Sequence, residues 1–220
     1  MAEGAFSTGL VHRYSGGDVK KKRSLEQQKT KRARILAAAA EVFATRGFQE
    51  AHISHIAQTA GVADGTIYLY FPSKESLLVA LFEDSVSRFF RQLDDELTSI
   101  AAPRDKLLRM VALQLGLLDR ERGLAELLTV NLRQSSRSMR ELLKPHFTAY
   151  LDRLERVLIE GQNAGVFRKD LSARVVARAI FGALDGVTLT WALGGGHEGG
   201  LVKTAETVGK MLLDGLASNS

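Results

Sequence analysis

Apolar residues recur at three- and four-residue spacing along most of this chain, which is the pattern of amphipathic helices. From about Leu25, the positions Ile35, Ala38, Ala39, Val42 and Phe43 share one helical face, and Arg46-Gly47 supplies a stop. A second short segment turns Ile53, Ile56, Ala57 and Ala60 inward and ends at Gly61. A third, GVADGTIYLYF, is expected to be helical over about 63–70. Ser73 then offers an N-cap, with Glu75 in the first turn of a long helix running from Lys74 to near Ser99.

Past Pro103 the stripes continue. Leu107, Met110, Val111, Gln114 and Leu118 make one, and Leu124, Leu127, Leu128 and Leu132 another. Pro145 is read as opening a helix through Phe147, Tyr150, Leu154 and Leu158 that stops near Gly161 or Gly165. Helices over about 175–193 and 201–216 follow, separated by GGGHEGG. No run alternates long enough to argue for a sheet. The expected fold is all-α: a disordered basic arm at 1–24, a three-helix head at 25–73 and a larger helical body at 74–220.

Charge changes this picture at one end only. Residues 20–34, KKKRSLEQQKTKRAR, hold eight Lys/Arg against the single acid Glu26. Residues 81–220 are nearly balanced, with 19 basic and 18 acidic side chains. That asymmetry points to a polyanion partner for the head, or to a solvated helix face beside a tail. Cysteine is absent, which excludes disulfides and thiolate metal sites. The first residues lack the apolar run of a secretory signal, and no stretch is judged apolar enough to span a bilayer. A soluble, cytoplasmic protein is therefore expected.

Several chemistries find no residues to carry them. The five histidines make no two-His helical pair with a nearby carboxylate, so no metal is expected. The phosphate-cradling G-x-x-x-x-G-K-[ST] loop and the G-x-S-x-G nucleophile elbow are both missing. No catalytic residue and no cofactor is proposed, and an enzyme is not expected.

Two short helices joined by a tight glycine turn, beside a longer basic helix, describe a helix-turn-helix. Ile67 and Phe71, four apart, would pack on Ile35, Val42 and Ile56. Asp64, Thr66, Tyr68, Leu69 and Tyr70 would point elsewhere, and Gly65 would let a flat surface approach. The hydroxyls of Thr66, Tyr68 and Tyr70, with the Lys74 amine, suit phosphate oxygens. The alternative is that both tyrosines are half-buried packing residues.

The order I-A-x-x-A-G-V-x-x-G-T-I-Y-x-Y-F-x-S-K-E-x-L, present from Ile56 to Leu77, resembles the DNA-binding signature of the TetR family of bacterial repressors. LRQS at 132–135 and ARAIFGALDGVTLTW at 177–191 also resemble the FadR-type fatty-acid-degradation repressors. The resemblance implies that Tyr68 and Lys74 grip phosphates, and that Thr66 and Tyr70 touch backbone or base edges. Ser54, Asp64, Gly65 and Leu69 occupy positions that often face bases. His52 and Ala63 depart from the pattern, standing where a Thr and a Ser cap are common. Asp64 is either a helix-terminus charge or an acceptor for a cytosine amine.

The resemblance also implies a homodimer, with Phe181, Leu184, Thr188, Trp191, Val208, Met211 and Leu212 at the seam. Two recognition helices would then sit one DNA turn apart, about 34–36 Å, on a palindromic operator. The apolar residues Phe82, Val86, Phe89, Phe90, Leu93, Leu113, Leu117, Leu128, Leu132, Phe147, Tyr150 and Leu154 are either plain core or the lining of a pocket. The resemblance favours a pocket for a long-chain acyl-CoA. Asn131, Arg133, Gln134, Arg137 and Arg140 would stand at its polar edge, or else form surface pairs with Glu126 and Glu141. Another lipophilic effector is the alternative ligand.

Overall fold

A computed structural model describes residues 15–126, 128–129 and 137–218. Helices α1 (Ser15–Glu50), α2 (Ile53–Ala60) and α3 (Asp64–Tyr68) form the head. The body contains α4 (Lys74–Ser99), α5 (Pro103–Arg120), α6 (Arg122–Glu126), α7 (Arg137–Asn163), α8 (Ala173–Leu193) and α9 (Gly200–Leu216). The described residues contain no strand, only one isolated bridge between Phe167 and Ala217.

The head closes around Ile35, Ala39, Ile56 and Ile67, each with no exposed surface. Gly47 breaks the helical path of α1 with φ 71° and ψ 164°, a conformation that side chains with a Cβ rarely adopt. Gly61, at φ 62°, ends α2 in the left-handed conformation. Ser73 caps α4 by accepting from the Ser76 N–H at 3.1 Å, as its sequence context predicts.

Three boundaries differ from expectation. Helix α1 reaches back to Ser15, so residues 15–24 are helical and the basic run lies on a rod. Lys, Arg, Gln and Glu all have high helix propensity, and the run contains no proline; it lacked only the apolar stripe that marks a helix. Helix α7 begins at Arg137, eight residues before Pro145, which sits inside it. Pro145 is exposed, so water can satisfy the carbonyl its missing N–H leaves unpaired. Helix α3 is a residue or two shorter at each end than its pattern suggested.

The body is a layered bundle in which α5 lies along α9 and α7 along α8. Its core is continuous with that of the head through Leu77 and Leu78 of α4. Asp119 near the end of α5 joins two of these elements. Its carboxylate accepts from the N–H groups of Gly199 and Leu201 at 2.8 and 2.9 Å, closing the N-terminus of α9. One further correction concerns hydropathy: by length and composition Ala173–Leu193 is apolar enough to cross a membrane. Only 22% of its apolar window is buried within the chain; most of the rest is half-buried, and Val175, Ala179, Gly182 and Leu193 are exposed.

Candidate nucleic-acid interface and ligand cavity

Helix α3 is held from behind and open in front. Ile67 and Phe71 are buried in the head, and the Arg32 guanidinium stands 5.0 Å from the Phe71 ring centroid. Asp64, Gly65, Tyr68 and Leu69 are exposed, while Thr66 and Tyr70 are half-buried. Leu69 shows 83% of its surface to water. Ser54 on α2 is also exposed. Ala63 takes the N-cap position of α3 without any side-chain bond, leaving Asp64 as the acid in the first turn.

His52 occupies the N-cap of α2, and its N–H donates to Nδ1 of His55 at 3.3 Å. Desolvation, Arg46 and His52 together hold the His55 imidazole below its ordinary pKa. Lys74 is turned inward. Its ammonium donates to the carbonyls of Phe48, Gln49 and Ala51 at 2.7, 3.1 and 3.0 Å. All three ammonium donors are therefore engaged within the chain.

Behind α4 lies a small apolar cavity of about 70 Å³. Phe82, Val86, Phe89, Phe90, Leu117, Leu128, Phe147 and Tyr150 line it, all among the residues for which the pattern left core and pocket open. Leu93, Leu113 and Leu154 do not: they are buried in the core but are not among the lining residues. Asn131, Leu132, Arg133 and Gln134 lie outside the described residues, as does the side chain of Arg137, while Arg140 is exposed. Gln114, Leu118, Leu124, His146 and Phe181 complete the wall. Their stripes were visible in the sequence, but nothing there tells a cavity-facing position from a core one.

Aromatic contacts set the shape of this wall. Phe147 and Tyr150 of α7 meet Phe181 of α8 at 5.7 and 6.1 Å between ring centroids. On the solvent side, Arg153 of α7 clasps Asp94 of α4 with bonds of 2.8 and 2.6 Å, and stacks 4.2 Å over Phe90. Phe82 and Leu124 also face a larger groove, about 790 Å³, between α1, α4 and α6. Arg88 in that groove pairs with Asp84 and Glu121.

The residues expected at a dimer seam do not share one exposed surface. Leu184 and Thr188 have no exposed surface and Val208 has little, so all three belong to the chain's own core. Phe181 faces the cavity, and Trp191 is half-buried with its Nε1–H donating to the His197 carbonyl at 2.9 Å. Met211 is exposed and Leu212 half-buried. On the opposite face of α8, Val175, Ala179, Gly182 and Leu193 are exposed and Gly186 and Leu189 half-buried, spaced three and four apart. A Cβ added at Gly182 or Gly186 would meet nothing within 4 Å.

Residues 35–81 match the family model described as bacterial regulatory proteins, tetR family, and residues 82–215 match that of the YsiA-like protein C-terminal region. The chain belongs to the TetR family. Within this family it is related to fatty-acid regulators. It is 32% identical over 192 residues to the fatty acid metabolism regulator protein of Bacillus subtilis, covering 87% of this chain and 98% of that one. The structure is similar to that of FadR from Bacillus subtilis in complex with stearoyl-CoA, with a TM-score of 0.75 and 33% identity over 83% and 98% of the two chains. It is likewise similar to the fatty acid degradation regulator FadR from Bacillus halodurans, with a TM-score of 0.77 and 34% identity over 86% and 97%. At family level these relatives are transcriptional regulators, not enzymes. The tetR-family match spans α3, and the match to the YsiA-like C-terminal region spans the residues that line the cavity.

Proposed function

We propose that this TetR-family chain is a cytoplasmic, dimeric repressor of fatty acid degradation genes, released from a palindromic operator by a long-chain acyl-CoA. The observation that carries the proposal is an apolar cavity walled by the same helix, α4, whose first residue anchors the head. At about 70 Å³ the cavity is far smaller than the ~300–1,000 Å³ of typical ligand sites. A long chain therefore enters only by displacing α4 or the aromatic wall. Displacing α4 moves the Lys74 clamp and with it the head.

Exposed Tyr68, Leu69 and Gly65 form the face offered to the major groove, with Asp64, Thr66 and Tyr70 at its margins and Ser54 and His52 beside it. The basic turns of α1 add phosphate contacts and steep salt dependence. Lys74 reaches a phosphate only by giving up a carbonyl of α1. The outward stripe of α8, with Met211 and Leu212 of α9, provides the dimer seam. Arg137 and Arg140, with Asn131, Arg133 and Gln134, are proposed for the coenzyme A phosphates.

Binding linkage makes the test direct: if acyl-CoA weakens operator binding, operator must weaken acyl-CoA binding by the same factor. Titrating palmitoyl-CoA with and without operator measures both sides of this cycle. Equal affinity in the two titrations sinks the inducer model. A thermal-shift series with palmitoyl-CoA, palmitate and coenzyme A identifies the effector, and only the intact thioester should give a large shift. The apolar character of the cavity equally suits a lipophilic effector lacking coenzyme A, and a shift with palmitate alone would favour that reading.

A further inference from the structure

Two polar atoms on the cavity wall have no hydrogen-bond partner among the described residues: the hydroxyl of Tyr150 and Oε1 of Gln114. Both are shut off from solvent, and Tyr150 as a whole is 5% exposed. A buried hydroxyl left unpaired is unfavourable, so native proteins rarely keep one without a use. The two groups do not bond to each other, and the rest of the wall is almost wholly apolar.

We infer that the cavity is built to hold a neutral oxygen of its ligand, carbonyl or hydroxyl, against Tyr150 and Gln114. The inference rests on the acyl-ligand reading above and deepens it. Phe89 and Phe181 flank the Tyr150 ring at 6.0 and 6.1 Å, fixing the direction of its hydroxyl. Burial raises the phenol pKa, so the group stays a protonated donor. The Gln114 oxygen is an acceptor only. A carbonyl would satisfy Tyr150, and a hydroxyl could satisfy both. An ionised carboxylate fits poorly. The charged and titratable groups near this wall are His146, packed edge-on against Phe82 at 5.4 Å, Glu83, 4.0 Å from the His146 imidazole, and Arg153, stacked 4.2 Å over Phe90 with its guanidinium clasped by Asp94. Both cationic candidates thus already face a carboxylate.

Two sources would supply such an oxygen: the thioester carbonyl, or a hydroxyl borne on the acyl chain. The full-length protein, its Tyr150→Phe variant and its Gln114→Leu variant are titrated calorimetrically with three probes. These are hexadecanoyl-CoA, 3-hydroxyhexadecanoyl-CoA and the thioether S-hexadecyl-CoA, which lacks the carbonyl. The wild type should bind at least one oxygen-bearing probe about tenfold more tightly than the thioether. Tyr150→Phe should erase that preference while leaving the melting temperature of the free protein unchanged or higher, because it removes an unpaired buried group. Preference for both oxygenated probes identifies the carbonyl, and preference for the 3-hydroxy probe alone identifies the chain hydroxyl. Gln114→Leu should weaken the hydroxyl-bearing probe selectively in the second case. Equal affinity for all three probes in wild type and Tyr150→Phe would overturn the inference and leave the acyl-CoA reading standing. If no probe binds any of the proteins, the acyl-CoA reading fails and takes this inference with it.

Discussion

The ammonium of Lys74 lies 2.7 Å from the carbonyl oxygen of Phe48 and 4.5 Å from the centroid of the Phe48 ring. One side chain thus closes the end of α1 from the first turn of α4, tying head to body by a hydrogen bond and a cation–π contact. Replacing Lys74 with alanine should therefore cost stability as well as operator affinity. We expect a loss of about 1–3 kcal/mol, because three carbonyls lose a charged donor. Chemical denaturation measures the first effect and operator titration the second. Unchanged stability with weakened operator binding would show that the inward bonds matter little.

A glycine near the end of α7 should prove irreplaceable. The carbonyl of Gly161 accepts from the N–H groups of Val166 and Phe167 at 3.0 and 3.1 Å, folding the chain back so that the Phe167 ring covers the glycine. A Cβ at Gly161 would lie 2.0 Å from a ring carbon of Phe167, which is itself almost fully buried. Gly161→Ala should destabilise the fold by about 1–3 kcal/mol, since neither ring nor backbone has room to yield. Gly123→Ala in α6, where a Cβ meets nothing within 4 Å, is the control and should be neutral or mildly stabilising. Thermal denaturation of the two variants should give opposite signs.

Charge placed on the outward face of α8 should separate the proposed dimer without unfolding the protomer. Gly186→Glu puts a carboxylate where the chain itself leaves empty space, and Met211→Glu puts another on α9, where Met211 is 59% exposed. Sedimentation should show the double variant as a folded monomer with helical content unchanged, and its operator affinity should fall at least tenfold. Leu184→Ala, by contrast, should lower stability through a core cavity, by about 2–5 kcal/mol.

Acid should loosen the clasp between α4 and α7. Hydrogen bonding to Arg153 holds the Asp94 carboxyl below its ordinary value of 3.8. A depressed carboxyl contributes stability that is fully present above the unfolded value and lost as pH falls through the folded one. The window lies below about pH 4, and solvent screening of the half-exposed Asp94 keeps the effect small. Denaturation midpoints measured between pH 5 and 3 should fall less steeply in Asp94→Asn than in wild type.

The helix-turn-helix was legible because local signals agree there: Gly61 and Ser73 punctuate, and Ile56, Ile67 and Phe71 mark the buried side. Lys74 was not legible, since its partners are carbonyls 23 to 26 residues away whose position depends on how α1 ends. On α8 periodicity fails for another reason. The helix is apolar on nearly every side, so the inward stripe with Leu184 and the outward one with Gly186 read alike. Only burial separates them. The cavity posed the same problem for Leu93, Leu113 and Leu154, which share a pattern with the lining residues but pack elsewhere.

Because α1 is helical back to Ser15, its basic residues travel as cargo on a stiff rod. Residues 21–34 span roughly 21 Å at 1.5 Å per residue, about the axial length of six base pairs. The helix fixes the spacing of these charges along its axis, although each side chain can still turn. On the operator-binding reading proposed above they act as a gauge: duplex presented at the wrong angle to the head would meet them out of step, so orientation as well as sequence would be read before α3 docks.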